Sequence, residues 1–119
     1  MVSLGGSARI NLQHMKKIEA VILGSNLDAV RKGLESRGIR SGLTVMDVRH
    51  GDSEKRLLQT ENGNSKTLRD RIKIELIVED SETEKTVNVI LRQAQPESDE
   101  QGGQITVLEV AEIQRVTRG

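Results

Sequence analysis

The chain has 119 residues with 18 Lys or Arg and 18 Asp or Glu, so its formal net charge is zero. This length allows one domain with a modest core, and the charge balance gives no electrostatic reason to expect nucleic acid or an anionic membrane as a partner. The chain contains no Phe, Tyr or Trp, so it lacks the stacking platforms that RNA and single-stranded DNA binders use. The absence of Cys excludes disulfides and thiolate metal sites, and it suits a reducing cytoplasm.

The first 14 residues, "MVSLGGSARINLQH", are predicted to lie outside the folded domain. They contain the flexible linker composition GGS, and they lack the basic start and long apolar run of a secretory signal. No stretch of the chain has the length and apolar character of a membrane span. We therefore expect residues 1–14 to be a disordered arm, an expression remnant or sequence upstream of the true start. The folded domain is expected over 15–119.

The first part of this domain predicts a strand followed by a helix. Residues 16–23 alternate as a strand does. After Gly24, Ser25 and Asp28 have the spacing of a capping box, with Ser25 as the N-cap of a helix that stops at Gly38. The predicted buried stripe of this helix recurs at helical spacing and consists of Leu27, Val30 and Leu34.

The second part predicts three more strands and another helix. Residues 43–48 are rich in β-formers, and "RIKIELIV" at 71–78 has the clearest alternation in the chain. The "SETE" run at 81–84 predicts a capping box. Residues 104–108 predict a fourth strand, and 112–116 could add a short fifth. The predicted buried stripe of the second helix consists of Val87, Ile90, Leu91 and Ala94.

The element order βαββαβ indicates an α+β, ferredoxin-like sheet with both helices on one face. The other face needs a cover, and self-association with closed cyclic symmetry is the simplest one. Residues 50–70, between the second and third strands, are polar and carry the turn signal Asn62-Gly63. Connections of this length are commonly functional. A fold class alone does not define a function.

Four segments resemble the PII signal-transduction proteins and their PII-like relatives. They are "MKKIEAVI", "LDAVRKGLESRGIRSGLTVMDV", "RIKIELIVED" and "QITVLEVAEIQRVTRG", which follow the family's order across 15–119. The resemblance implies a homotrimer, an adenine nucleotide in each intersubunit cleft, and a role in nitrogen regulation. It also implies that 50–70 is the T-loop, which binds a target enzyme, transporter or regulator. The partner-binding residues of this loop would include Gly51, Arg56, Asn62, Gly63 and Arg69.

The resemblance also implies a set of nucleotide contacts, two of which depart from the family. The run "QGGQ" stands where the family has a Gly-Asp-Gly-Lys phosphate loop, so Gln104 replaces a lysine. The Arg-Ile-Arg run near the C-terminus becomes "RVTR". Without the lysine, ADP, AMP or a cyclic nucleotide is expected to compete better against ATP. The implied contacts are Thr44, Gly102, Gly103, Gln104, Arg115 and Arg118.

The implied effector site departs from the family as well. Arg71 matches a lysine that meets 2-oxoglutarate in PII proteins, and Glu54 falls where the family has a glutamine that helps to hold magnesium and 2-oxoglutarate. A carboxylate at that position would repel a dicarboxylate ligand. The loop tyrosine that is uridylylated in the family is absent. The chain therefore resembles a divergent PII-like protein that requires no cofactor and takes ADP, AMP or ATP as its ligand.

Each candidate also has a plain structural interpretation. The diglycine can be an ordinary turn, Thr44 an ordinary strand residue, and the arginines solvated surface charges. His14 and His50 have no second ligand at metal-binding spacing. No Ser-His-Asp arrangement or acid–base pair is recognisable. The sequence therefore predicts neither a metal site nor an enzyme.

Two other function classes fit parts of the sequence. One is a PII-like trimeric scaffold that has lost nucleotide binding, or that senses a small anion such as bicarbonate; the missing lysine favours this class. The other is a CutA-like trimer, a class associated with metal tolerance, which the absence of Cys and the single loop histidine do not favour.

Overall fold

The computed structural model describes residues 15–51, 68–98 and 102–118. The predictions for the arm at 1–14 and for four residues of the 50–70 loop lie outside the described residues. Those four are Glu54, Arg56, Asn62 and Gly63. The described strands and helices are β1 (Met15–Ile22), α1 (Leu27–Ser36), β2 (Thr44–Gly51), β3 (Leu68–Glu79), α2 (Thr83–Gln93) and β4 (Gln104–Glu109).

The four strands form one antiparallel sheet in the order β2-β3-β1-β4. This order, with one helix after β1 and one after β3, is that of the ferredoxin-like fold, so the predicted α+β class is confirmed. β2 and β3 are longer than predicted because they continue to pair with each other as far as Gly51 and Leu68. The short fifth strand predicted at 112–116 is wrong, since residues 110–118 have no regular secondary structure.

The core lies between one face of the sheet and the two helices. Alternate side chains of β1 and β3 point to this face, and the register places Ile18 opposite Leu76 and Ala20 opposite Ile74. The alternation predicted for 71–78 is therefore confirmed. Aliphatic side chains fill the whole core, as a chain without aromatic residues requires. The buried members are Ile18, Ala20, Ile22, Val30, Leu34, Ile39, Ile72, Ile74, Leu76, Val78, Val89 and Ile90.

The start of α1 differs from the prediction, whereas its end agrees. Ser25 is not the N-cap; it lies in a 3-10 turn, and Asn26 holds the N-cap position without a side-chain capping bond. The backbone N–H of Leu27 donates to the Gly24 carbonyl instead. This backbone bond satisfies a donor that the predicted hydroxyl cap would otherwise serve. Gly38 follows the helix with φ 78°, the left-handed conformation that favours glycine at this position.

At the start of α2, too, a backbone hydrogen bond takes the place of the predicted side-chain cap. The capping box predicted at 81–84 is wrong, because Glu82 holds the N-cap position and makes no side-chain capping bond. A 3-10 turn at Asp80–Glu82 precedes the helix, and the N–H of Thr83 donates to the Asp80 carbonyl. A 3-10 turn thus precedes each helix, and a backbone carbonyl of that turn accepts a hydrogen bond from an N–H at the start of the helix.

The buried stripe of α2 is rotated from the predicted one. Leu91, expected in the stripe, is 57% exposed, whereas Val87 and Ala94 pack partly buried against the core. Thr86 is fully buried, and its hydroxyl donates to the Glu82 carbonyl at 2.8 Å, which satisfies the buried polar group. The fully or nearly fully buried residues of α2 are Thr86, Val89 and Ile90.

The sheet face without helices carries a charge ring formed by Lys17, Glu19, Lys73 and Glu75. Each lysine pairs with both glutamates, at nitrogen–oxygen distances of 3.2, 3.3, 3.4 and 3.3 Å. Glu19 lies directly opposite Glu75 in the register, so the lysines offset a like-charge pair that would otherwise be destabilising. Hydrogen bonding from Lys17 lowers the pKa of Glu19, and hydrogen bonds to the glutamates raise the pKa of Lys17 and Lys73.

We expect the charge ring to make stability fall at both extremes of pH. Glu19 has a lowered pKa in the folded state, so its contribution is present above its unfolded pKa of about 4.3 and is lost as pH falls through the folded value. The lysines have raised pKa values, so theirs is present below about 10.4 and is lost as pH rises through the folded values.

Thermal unfolding followed by circular dichroism at one protein concentration tests this expectation. Glu19→Gln should lower Tm near neutral pH, and its difference from the unsubstituted protein should shrink as the pH falls below about 4. Glu35→Gln, on the exposed face of α1, is the matched control. A Glu19→Gln difference that stays constant across the acidic range would contradict a role for the ring.

Candidate functional site

The expected nucleotide contacts lie at opposite edges of the sheet. Gly102 and Gly103 precede β4, and Gln104 opens that edge strand opposite Val21 of β1. Thr44 opens β2, which is the other edge strand. Two strands lie between β4 and β2, so the edges are about 14 Å apart at the usual strand spacing. One chain therefore does not bring Thr44 to the diglycine.

The two C-terminal arginines lie beyond the end of β4, apart from both the diglycine and Thr44. Arg115 and Arg118 are exposed and follow β4 at its far end, away from Gly103. The six residues of β4 span about 20 Å, and no described turn returns the chain toward the diglycine. Gly102, Gly103 and Gln104 are thus adjacent, whereas Thr44 and the arginines are separate from them.

The geometry demands a glycine at position 103. An ideal Cβ there would lie 1.8 Å from the Val21 carbonyl oxygen and 2.9 Å from the carbonyl carbon. No side chain fits without moving the backbone of β1 or β4. The diglycine therefore lies directly against β1, and consecutive backbone N–H groups in such a concavity can hold anion oxygens.

A largely apolar cavity of about 480 Å³ opens beside the diglycine. Its walls include Val87 and Leu91 of α2 and Val107 of β4. Leu91 and Val107 are 57% and 43% exposed in the single chain. Gln104 is the only polar residue other than glycine among the described lining residues, which include no Lys or Arg, and its register opposite Val21 puts its side chain on the sheet face without helices. Apolar walls can hold an uncharged group, but the part of the chain that the structure describes places no Lys or Arg in them.

The expected effector residue Arg71 lies at the base of the 50–70 loop, where β2 and β3 continue past the end of β1. Here His50 lies opposite Arg69, and the two strands finish with Gly51 opposite Leu68. Arg71 is 9% exposed, and its Nη1 donates to the carbonyl of the preceding residue at 2.7 Å. Arg69 and Arg71 are two positions apart on one strand, so they share a face with His50.

Among the described residues, no group of three or more His, Asp or Glu side chains is arranged to hold a metal ion. Neither α1 nor α2 is long and apolar enough to cross a membrane. The arrangement supplies backbone donors beside an apolar cavity, and a separate group of basic side chains at the loop base. It suits binding of an anionic ligand.

Comparison with known proteins agrees with this arrangement. The family model described as "Nitrogen regulatory protein P-II" matches residues 15–119. The chain belongs to the P-II family. The P-II protein 1 of Escherichia coli strain K12 is 34% identical over 107 residues, which cover 88% of this chain and 94% of the relative. The P-II protein of Microchaete diplosiphon is 32% identical over 108 residues, with the same two coverages.

A solved P-II structure confirms the fold. The crystal structure of Arabidopsis thaliana PII bound to citrate matches with a TM-score of 0.67 and 27% identity, over 87% of this chain and 84% of that one. The sequence resemblance to the PII proteins and the ferredoxin-like fold are therefore both confirmed. The chain is a signal-transduction regulator of the P-II class.

Sequence reasoning missed two ion-pair groups of this P-II protein. One is the charge ring, for which a signal existed: Lys-x-Glu occurs in both β1 and β3. The other is Lys16, whose Nζ lies 2.7 Å from a carboxylate oxygen of Asp80 and 3.5 Å from one of Glu109. Lys16 thereby joins the start of β1 to the turn before α2 and to the end of β4, and no local spacing indicates this pairing.

The contact at Gly103 predicts a specific loss of stability. Gly103→Ala forces a Cβ against the Val21 carbonyl, so it should lower the free energy of unfolding by about 1–3 kcal/mol, as overpacking does. Gly42→Ala is the matched control, because nothing lies within 4 Å of an ideal Cβ there. It should change stability by less than about 1 kcal/mol. Urea unfolding followed by circular dichroism measures both, and equal effects would contradict the close contact.

Proposed function

We propose that this P-II protein is a cytoplasmic homotrimer, without enzymatic activity, that binds an adenine nucleotide between subunits and regulates a target protein through the 50–70 loop. The observation that carries the proposal is the separation of the expected nucleotide contacts. Thr44 and the diglycine lie on opposite edges of one sheet, and Arg115 lies beyond one end of it. A site that contains all of them needs more than one copy of the chain.

Contact between unlike edges supports a ring of copies. When the β4 edge of one copy meets the β2 edge of the next, the contact is heterologous, and such contacts close into a ring if the rotation fits. Each cleft of that ring would contain residues from both edges. The nucleotide would then join two copies, and its binding could favour one arrangement of the loop at their boundary.

The sheet face without helices supports the same assembly. The charge ring lies at its centre, and apolar side chains such as Ile77 and Leu108 surround it. Leu108 is 39% exposed in the single chain. A second copy would remove such side chains from water, and each buried methylene stabilises an assembly by about 0.8 kcal/mol. We therefore infer that these faces meet around the axis of the trimer.

The proposed assembly predicts that a substitution on the sheet face without helices lowers the measured mass, whereas one on the helical side does not. Light scattering should give about three times the chain mass of 13.2 kDa. Leu108→Asp places a charge on the face without helices and should lower the measured mass. Lys32→Asp, on the exposed side of α1, is the control and should leave the trimer intact. A monomeric protein, or dissociation by Lys32→Asp alone, would contradict the proposed interface.

Nucleotide binding is measured best by isothermal titration calorimetry, because the chain has no Tyr or Trp to report by fluorescence. We expect ADP, AMP or ATP to bind with a Kd well below about 1 mM. Arg115→Gln removes a charged hydrogen-bond donor and should weaken binding about tenfold or more, with Arg37→Gln on the exposed end of α1 as control. The proposal fails if none of these nucleotides binds below about 1 mM.

A second candidate is a scaffold that responds to a small anion such as bicarbonate. The grouping of His50, Arg69 and Arg71 at the loop base favours it, as does the lack of Lys or Arg among the described residues that line the cavity beside the diglycine. Titration with bicarbonate and with 2-oxoglutarate, each with and without nucleotide, separates the two. Bicarbonate binding without any nucleotide binding would favour this second function.

A further inference from the structure

We propose that a cavity beside α1 binds a free α-amino acid with an aliphatic side chain. The cavity has a volume of about 280 Å³ and lies between α1, the connection from α1 to β2, and β3. We call it the α1 cavity. Aliphatic side chains form its inner wall, and charged side chains of both signs stand at its mouth. This ligand is separate from the nucleotide of the proposed function, so either one can fail without the other.

The inner wall of the α1 cavity is an aliphatic surface. Leu34, Ile39 and Leu76 are buried members of the core, and all three line the cavity. Leu43 also lines it and packs partly buried against the core. An aliphatic group that enters the cavity therefore leaves water for apolar surroundings, which is favourable. Full burial of a side chain of this kind contributes about 1.5–3 kcal/mol.

The mouth of the α1 cavity carries two arginines and one glutamate. Arg31 and Glu35 lie one turn apart on α1, and Arg40 lies on the connection to β2. All three are exposed. The ion pairs between described residues include neither Glu35 nor Arg40. Arg31 lies 3.7 Å from a carboxylate oxygen of Asp28, an exposed pair that contributes little. These charges can therefore turn toward a ligand at small cost.

An α-amino acid presents the complementary groups on one carbon atom. Its carboxylate accepts hydrogen bonds from the guanidinium groups of Arg31 and Arg40, and its ammonium donates to the Glu35 carboxylate. A simple carboxylate would bring a like charge close to Glu35, and a simple amine would bring one close to both arginines. The zwitterion satisfies both signs at once. Its side chain then points to the aliphatic wall.

The volume of the α1 cavity limits the size of this amino acid. About 280 Å³ is the share of roughly nine water molecules in the liquid. Leucine, isoleucine and valine have a comparable number of non-hydrogen atoms. A nucleotide is far larger than this cavity. The aliphatic wall and the small volume together select a branched aliphatic amino acid.

The α1 cavity is also separate from the expected nucleotide contacts, although Thr44 directly follows Leu43 in the chain. Thr44 lies opposite Glu75 in the register, and Glu75 belongs to the charge ring. The Thr44 side chain therefore points to the sheet face without helices. Leu76 points to the other face, where the cavity lies. The diglycine precedes β4, at the opposite edge of the sheet.

An NMR titration of the isotope-labelled full chain with L-leucine tests the proposal, because amide shifts report weak binding and its location together. We expect a Kd of about 0.1–1 mM, as suits so small a ligand, with the largest shifts over residues 31–43. Isocaproate lacks the ammonium of leucine, and isoamylamine lacks its carboxylate. Each should bind about tenfold more weakly than leucine, because one charged hydrogen-bonding group is lost.

Two variants assign the charges of the ligand to particular residues. Arg40→Gln should weaken leucine binding about tenfold without weakening isoamylamine, which has no carboxylate. Glu35→Gln should weaken leucine binding by a similar factor without weakening isocaproate, which has no ammonium. Arg37→Gln and Glu84→Gln are the matched controls, since both residues are exposed and neither lines the cavity. Both controls should leave leucine binding unchanged.

Three results would overturn the proposed amino-acid site. One is the absence of shifts over residues 31–43 at leucine concentrations up to about 10 mM. Another is isocaproate or isoamylamine binding as tightly as leucine, since the zwitterion would then have no advantage. The third is an equal effect of Arg40→Gln and Arg37→Gln. A lack of nucleotide binding would instead contradict the proposed function and leave this site standing.

Discussion

The pairing of β1 with a neighbour on each side is the constraint on which the rest of this molecule depends. Its backbone joins β3 along one edge and β4 along the other. Its side chains alternate between the two faces of the sheet. Ile18, Ala20 and Ile22 lie in the core, while Lys17 and Glu19 belong to the charge ring. Near its end, the Val21 carbonyl sets the room available at Gly103. A shift of register by one residue would exchange the two faces and move the diglycine.

The two faces of the sheet differ in how they gain stability. The face toward the helices is aliphatic, and its stability comes mainly from removing apolar surface from water. The opposite face is held by partly exposed ion pairs, which contribute little individually and gain from forming a network. Such a face is stable in solution and can also meet a copy of itself without leaving an unpaired charge. The ring therefore permits association of the chain but does not by itself drive it.

The sequence was sufficient for features that depend on local periodicity. The alternation over 71–78 and the stop at Gly38 predicted a strand and a helix end that the structure contains. It was insufficient where a non-local choice decides the outcome. Ser25 lost its capping role because a backbone turn satisfies the same kind of donor, and Leu91 left the core because tertiary packing sets the rotation of α2. Opposing strands from distant parts of the chain create the charge ring.

The candidate site depends even more on contacts between distant parts of the chain, which local sequence patterns do not reveal. Resemblance to the P-II family pointed to the diglycine and the C-terminal arginines as motifs, but it did not show that one chain places them at opposite ends of β4. The need for glycine at 103 comes from a contact with Val21, a residue distant in the chain. The sequence shows that Gln104 stands where the family has a lysine. It does not show which cations of the folded chain already have partners, Arg71 and Lys73 among them.

The extension of β2 and β3 past the end of β1 makes the base of the 50–70 loop a stiff stem. The last pair between β1 and β3 is Ile22 with Ile72, whereas β2 and β3 stay paired to Gly51 and Leu68. A paired ribbon resists bending better than a single strand, and Arg71 lies buried near its root. A small rotation at this root is carried outward as on a lever arm, so the displacement grows with distance from the sheet. Any rotation of the sheet at this root would therefore move the start of the loop further than it moves the root itself.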